Sequence, residues 1–164
     1  MLEKSNNISA NVSEILSKQP DARASIIGSQ AYKNIKGVVQ FYQTKYGVIV
    51  ATSIRGLPFS NDKCKEDIFA YHIHSGNRCE GNKNDLFADA MAHYNPNNCN
   101  HPKHAGDLLP LMGNQGYAFS VFLTDRFKVR DVIGKTIIIH SGVDDFTTQP
   151  AGNSGAKIAC GVIY

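Results

Sequence analysis

Two apolar stretches of strand length, Gly37-Val38-Val39-Gln40-Phe41-Tyr42-Gln43 and Gly47-Val48-Ile49-Val50-Ala51-Thr52-Ser53-Ile54-Arg55, are separated by only Thr44-Lys45-Tyr46. Gly47 stands where a tight turn needs a positive φ, so the pair reads as an antiparallel hairpin, and a hairpin this long needs further strands to bury its apolar face. Those strands are expected at 24–27, 67–74, 117–123, 135–140 and 156–163. Gly56-Leu57-Pro58 ends the second hairpin strand, because proline has no N–H to donate within a sheet. Trp is absent and Gly occurs 14 times, a composition that favours short strands and turns over long helices. The fold class is therefore all-β. With 164 residues, 42% of them hydrophobic, the chain fills one domain rather than two.

Residues 1–21 are polar and broken by Pro20, with 12–17 compatible with a helical turn; they read as an N-terminal tail to a domain over 22–164. Two long irregular regions interrupt the strands, one at 75–113 and one at 141–154. Loops of that length in a compact domain are unusual unless they carry function.

The histidines point to that function. All six fall at 72, 74, 93, 101, 104 and 140, and five of them lie within 33 residues. In Tyr71-His72-Ile73-His74 the period of two puts both imidazoles on one face of a strand, either as a solvent-facing pair or as two ligands of one ion. His140 closes the apolar strand Thr136-Ile137-Ile138-Ile139-His140 at the mouth of the second loop, which favours a shared site held by rigid strands. The segment 93–107 adds His93, His101, His104 and Asp107, four borderline donors of the kind zinc takes tetrahedrally. A metal would also fix a segment poor in apolar residues. Cys99, between His93 and His101, is a further potential ligand or a packed thiol.

Other classes are disfavoured. The 17 basic and 14 acidic residues leave +3, with no Lys/Arg stripe of the kind a nucleic-acid surface needs. No apolar run approaches bilayer length. Residues 1–7 lack the apolar core of a secretory signal; a native start at Met1 would imply the cytosol, whereas a chain cleaved after its signal would begin the same way and be extracytoplasmic. The sequons at Asn7 and Asn11 lie in an Asn-rich stretch and read as chance. Four cysteines, at 64, 79, 99 and 160, are only a weak hint of bridges in a chain able to bury a core.

The order His-x-His, His93-Tyr94-Asn95-Pro96, His104-Ala105-Gly106-Asp107-Leu108, Asp131 through His140, and Gly152 through Ile163 resembles the copper/zinc superoxide dismutases, closer to bacterial members, over residues 24–164. The resemblance implies a flattened eight-stranded antiparallel Greek-key β-barrel with two long functional loops. It implies copper on His72, His74, His93 and His140, and zinc on His93, His101, His104 and Asp107, with His93 as the bridge. Asp144 would join the two sites through hydrogen bonds to ligand imidazoles. Cys79 and Cys160 would form the family's disulfide; Cys64 and Cys99 have no counterpart and are free or form a second bridge.

The implied reaction converts two superoxide anions and two protons to dioxygen and hydrogen peroxide by alternate reduction and reoxidation of copper, with His93 passing a proton. Lys157 stands where the family has an anion-docking arginine; it keeps the charge and loses the planar fork. Guidance of superoxide would rest on Lys157 and on whichever of Lys103, Lys135 or Arg126 lies near the cleft. Ala70 replaces a common glycine. A metal-storage protein of the same fold, a zinc hydrolase and an adhesion module are the competing readings; the second lacks a glutamate base. The assembly is expected to be a homodimer or a monomer.

Overall fold

The computed structural model describes residues 8–64 and 66–164, with side chains described from residue 12; the expectations for residues 1–7 and for the side chain of Asn11 lie outside the described residues. Among the described residues nine strand segments run in the order β1 (Ala22–Gly28), β2 (Lys36–Thr44), β3 (Gly47–Arg55), β4 (Ile68–Phe69), β5 (Tyr71–His74), β6 (Leu111–Met112), β7 (Tyr117–Thr124), β8 (Thr136–His140) and β9 (Lys157–Val162). Helix α1 (Ile8–Leu16) precedes β1, and the single turn α2 (Val129–Val132) lies between β7 and β8. No helix among the described residues is long and apolar enough to cross a membrane.

Every strand pairing is antiparallel. Seven strands form one sheet in the order β5-β8-β9-β1-β2-β3-β7, and β4 pairs with β6. β4 and β5 are one strand interrupted at Ala70, and the turn that joins Asn114 to Tyr117 ties β6 to β7. Eight antiparallel strands thus close in a ring, with sequence neighbours β3 and β4 separated in space by β6 and β7. This is the Greek-key barrel that the resemblance implies. The β2–β3 hairpin pairs residue for residue from Lys36↔Arg55 to Thr44↔Gly47, with Gly47 at φ +139°. Ala70 accommodates its methyl: it is fully buried, its N–H donates to Gly142 O (2.7 Å) and its carbonyl accepts from His140 N (2.9 Å).

Alternation along the strands decides what lies inside the barrel and what lies on its wall. Ala22, Ala24 and Ile26 of β1, Val39 and Phe41 of β2, Tyr71 and Ile73 of β5, and Ile137 and Ile139 of β8 belong to one buried apolar cluster. At about 25 cal/mol per Å² of apolar surface removed from water, this cluster is the main driving force for closure. The intervening residues of β5 and β8, namely His72, His74, Thr136, Ile138 and His140, face outward and are nonetheless buried, because the two long loops fold over that part of the wall. Ile138 packs there with Phe87, Ala90 and Cys160. On another part of the wall, Ile15 and Leu16 of α1 pack with Tyr42, Ile49, Ala51 and Val121. The apolar periodicity of 12–17 is too short to announce that cover.

Candidate metal centre

His72 and His74 share the outer face of β5, and His140 occupies the same face of the adjacent β8, where His72 pairs with Ile138 and Tyr71 with Ile139. The loop after β5 docks onto the same strand by backbone bonds: Tyr94 N–H donates to Ile73 O (2.8 Å), Ile73 N–H to Gly106 O (2.8 Å) and Leu108 N–H to Tyr71 O (3.3 Å). Those bonds carry His93 against His74 and Asp107 against His72. All six histidines and Asp107 therefore converge from residues spread over 69 positions, His72 to His140.

They form two groups that share His93. In each of the sets His72, His74, His93, His140 and His93, His101, His104, Asp107, the donor atoms lie within 4.8 Å of one another, and every member is buried. The outer nitrogen of most rings is already engaged. His72 Nε2–H donates to Asp144 Oδ2 (2.8 Å), His74 Nδ1–H to Met91 O (2.7 Å), His140 Nδ1–H to Gly155 O (3.3 Å) and His101 Nε2–H to Asp144 Oδ1 (2.8 Å). A neutral imidazole has one N–H, so these partners fix the tautomers and leave lone pairs on the inner nitrogens. His74 Nε2 and His140 Nε2 then face each other at 3.3 Å, while His72 Nδ1, His93 Nε2 and His101 Nδ1 are buried and make no hydrogen bond. Converging lone pairs without donors are costly unless a cation sits among them, and the donor chemistry fits copper at the all-imidazole set and zinc at the set with a carboxylate.

The second set is compact. Asp107 Oδ1 lies 2.7 Å from His93 Nδ1 and 3.2 Å from His104 Nδ1, and Asp107 Oδ2 lies 3.0 Å from His101 Nδ1. Its loop is held by contacts that involve no metal. Arg126 Nη1 donates to the carbonyls of Pro102 (2.9 Å), His104 (3.2 Å) and Asp107 (3.1 Å). The amide of Gln149 brackets His101, accepting from its N–H (3.0 Å) and donating to its carbonyl (2.7 Å). Gly152, at φ +68°, passes over Asp144 so closely that a side-chain carbon would run into its carboxylate and lie 2.8 Å from His101 Nε2. Only glycine fits that conformation and that gap.

Burial, and secondarily the neighbouring imidazoles, lowers the pKa of His140 to about 3 and drives those of His72 and His74 down. Burial alone would raise that of Asp144, but hydrogen bonds from His72, the Phe146 amide and His101 outweigh it and hold the carboxyl at about 2. His72, His74 and His140 are therefore neutral and Asp144 ionised at neutral pH, so these three rings present lone pairs to a cation without first losing a proton. These shifts also set an acid limit on the metal-free protein. A histidine depressed in the fold takes up its proton preferentially in the unfolded chain, so its stabilising contribution is complete above pH 6.5 and drains away as pH falls toward the folded value. His140 alone should cost about 2 kcal/mol between pH 6.5 and 5.0, with His72 and His74 acting in the same direction. Urea midpoints of metal-free protein at pH 7.5 and 5.0 check this; equal midpoints would contradict it.

An open cleft of about 1050 Å³ reaches the centre, and His74, His93, His104 and His140 line it. Lys157, the first residue of β9, lines it too, with its Nζ 2.7 Å from Asp85 Oδ2 and 3.1 Å from Phe87 O. Of the other expected cations none contributes to the lining: Arg126 is spent on the loop carbonyls, and Lys135 lies over the Tyr94 ring, 4.5 Å from its centroid. Lys83 and Asp85 are the charged lining residues that the sequence reading missed; each is an ordinary polar loop residue with no local signal. Cys79 and Cys160 are bonded, whereas Cys64 is free and exposed and Cys99 free and half-buried. Cys99 is not a member of either donor set.

The profile described as Copper/zinc superoxide dismutase (SODC) matches residues 35–163. The chain is 30% identical over 167 residues to the protein named Superoxide dismutase [Cu-Zn] 2 of Aquifex aeolicus, covering 93% of this chain and 91% of that one. It is 33% identical over 135 residues to Superoxide dismutase [Cu-Zn] of Legionella pneumophila, covering 77% and 76%. The crystal structure of a double mutant of a SOD-like protein from Bacillus subtilis superposes with a TM-score of 0.67 at 25% identity, covering 85% of this chain and 95% of that one. The family match spans β2 to β9, both loops and all six histidines, and on it the chain belongs to the copper/zinc superoxide dismutase family.

Proposed function

We propose that this oxidoreductase disproportionates superoxide with copper held by His72, His74, His93 and His140 and zinc held by His93, His101, His104 and Asp107. One observation carries the assignment: His93 belongs to both donor sets, turning Nδ1 toward Asp107 and leaving Nε2 unpartnered toward the other set. Copper, when bound, supplies the one-electron chemistry that takes an electron from one superoxide and returns one to the next. The protein's part is positional. Met91, Gly155 and Asp144 orient the rings through their outer nitrogens, and Asp144 couples the two sets by binding His72 and His101 together. His93 Nε2 is the atom that can hold a proton for peroxide, since its ring is anchored through Nδ1 on the opposite side. Lys157 carries the positive charge that an incoming anion meets beside His140.

On this reading residues 22–164 are the catalytic domain and 1–21 an N-terminal extension, and superoxide is met by a free monomer or homodimer with no nucleic-acid or membrane partner. Metal analysis of refolded protein tests the ligand assignment. Wild type should take up one copper and one zinc per chain. With Co(II) in place of zinc, His93→Ala should abolish the magnetic coupling between Cu(II) and Co(II) while each ion still binds. Coupling that survives the substitution would exclude His93 as the bridge.

A further inference from the structure

We propose that Asp85 is a positioning residue that holds Lys157 at the cleft and damps its attraction for anions, so that the protein runs with weaker electrostatic guidance than its lysine would otherwise provide. The inference rests on the reading of the cleft as the entrance to a superoxide-disproportionating copper site.

The contact is built rather than incidental. Asn82 Oδ1 accepts from the backbone N–H of Asn84 (2.9 Å) and of Asp85 (3.2 Å), which turns the loop tightly. Asp85 Oδ1 then accepts from Phe87 N–H (3.0 Å), leaving Oδ2 for Lys157. Phe87 is anchored on Ile138 and Cys160 of the barrel wall, and its carbonyl takes a second N–H of the ammonium. The Lys157 side chain is 14% exposed and that of Asp85 40%, so the pair sits partly withdrawn at the rim with the carboxylate on the wetter side. Hydrogen bonding and charge from Lys157 lower the pKa of Asp85 despite burial, so it is ionised at neutral pH.

The rest of the lining cannot make up the lost field. Among the described residues its only other fully charged side chain is that of Lys83, and the residues it draws from 148–155 are uncharged. Two cations and one anion thus leave a single net positive charge. A charge paired at 2.7 Å acts at a distance as a dipole, whose field fades faster than that of a free ammonium.

The test uses the copper- and zinc-loaded protein, azide as the anionic probe read from its Cu(II) charge-transfer band, and superoxide decay over a range of ionic strength. Asp85→Asn keeps the side-chain shape and one acceptor for Lys157. It should tighten azide binding and raise the low-salt rate about threefold, the size expected for one unit charge removed several ångströms from an anion's path in a wet cleft, and steepen the fall of rate with salt. Lys157→Gln should move all three readouts the other way. A purely structural role for Asp85 would lower the rate with an unchanged salt slope. Unchanged azide affinity and slope in Asp85→Asn, with an active wild type, overturn this proposal alone. Absence of copper-dependent decay in the wild type overturns the reading beneath it as well.

Discussion

His140→Ala should lower copper-dependent superoxide decay by more than about 100-fold, since loss of even an outer partner of a metal ligand commonly costs 10- to 100-fold. The imidazole ends β8 where the barrel wall meets the second long loop. Its Nδ1–H is tied to Gly155 O, and its Nε2 stands 3.3 Å from that of His74. Removing it opens the all-imidazole set on the cleft side while taking away no member of the Asp107 set. The substitution should accordingly leave zinc content near one per chain, reduce copper content, and leave the far-ultraviolet circular dichroism unchanged. Decay within a few-fold of wild type, with copper verified as bound, would remove His140 from the site.

The second large effect is on stability. The Cys79–Cys160 bond joins residues 81 apart and pins the first long loop to β9. Loop closure of that length removes conformational entropy from the unfolded chain worth about 4.5 kcal/mol, of which native disulfides typically realise about 2–5 kcal/mol. Cys160→Ser should therefore lower Tm by about 5–15 °C in a chain of this size, read by calorimetry of the metal-free protein so that metal binding does not mask it. Cys64→Ser, at a free and exposed thiol, should shift Tm by little and serves as the control. Equal Tm values for the two variants would show that the bond contributes nothing beyond the loop's own packing.

What could be read from the sequence follows from which interactions are local. The β2–β3 hairpin has the expected pairing because a turn of two or three residues leaves its register little freedom. The His-x-His pair shares a face because strand periodicity admits no other outcome. The two-residue strand β6 escaped notice: Leu111–Met112 lies just after Pro110 and is too short for any periodicity to show. The orienting acceptors of His74 and His140 are backbone carbonyls of Met91 and Gly155, and a carbonyl carries no mark of its residue type. Asp85 is invisible for another reason, as its meaning depends on Lys157, 72 positions away. Arg126 illustrates the converse: one of three cations that could have guided substrate, had it lain near the cleft, is committed to holding three carbonyls of the histidine loop.

The histidines stand on the outside of the barrel wall, and the apolar cluster that closes the barrel contains none of them. Chemistry and architecture are therefore separately heritable in this chain. A lineage could lose one ligand after another and still inherit a sound barrel, so soluble, well-folded protein made in a copper-starved cell says nothing about whether the enzyme works.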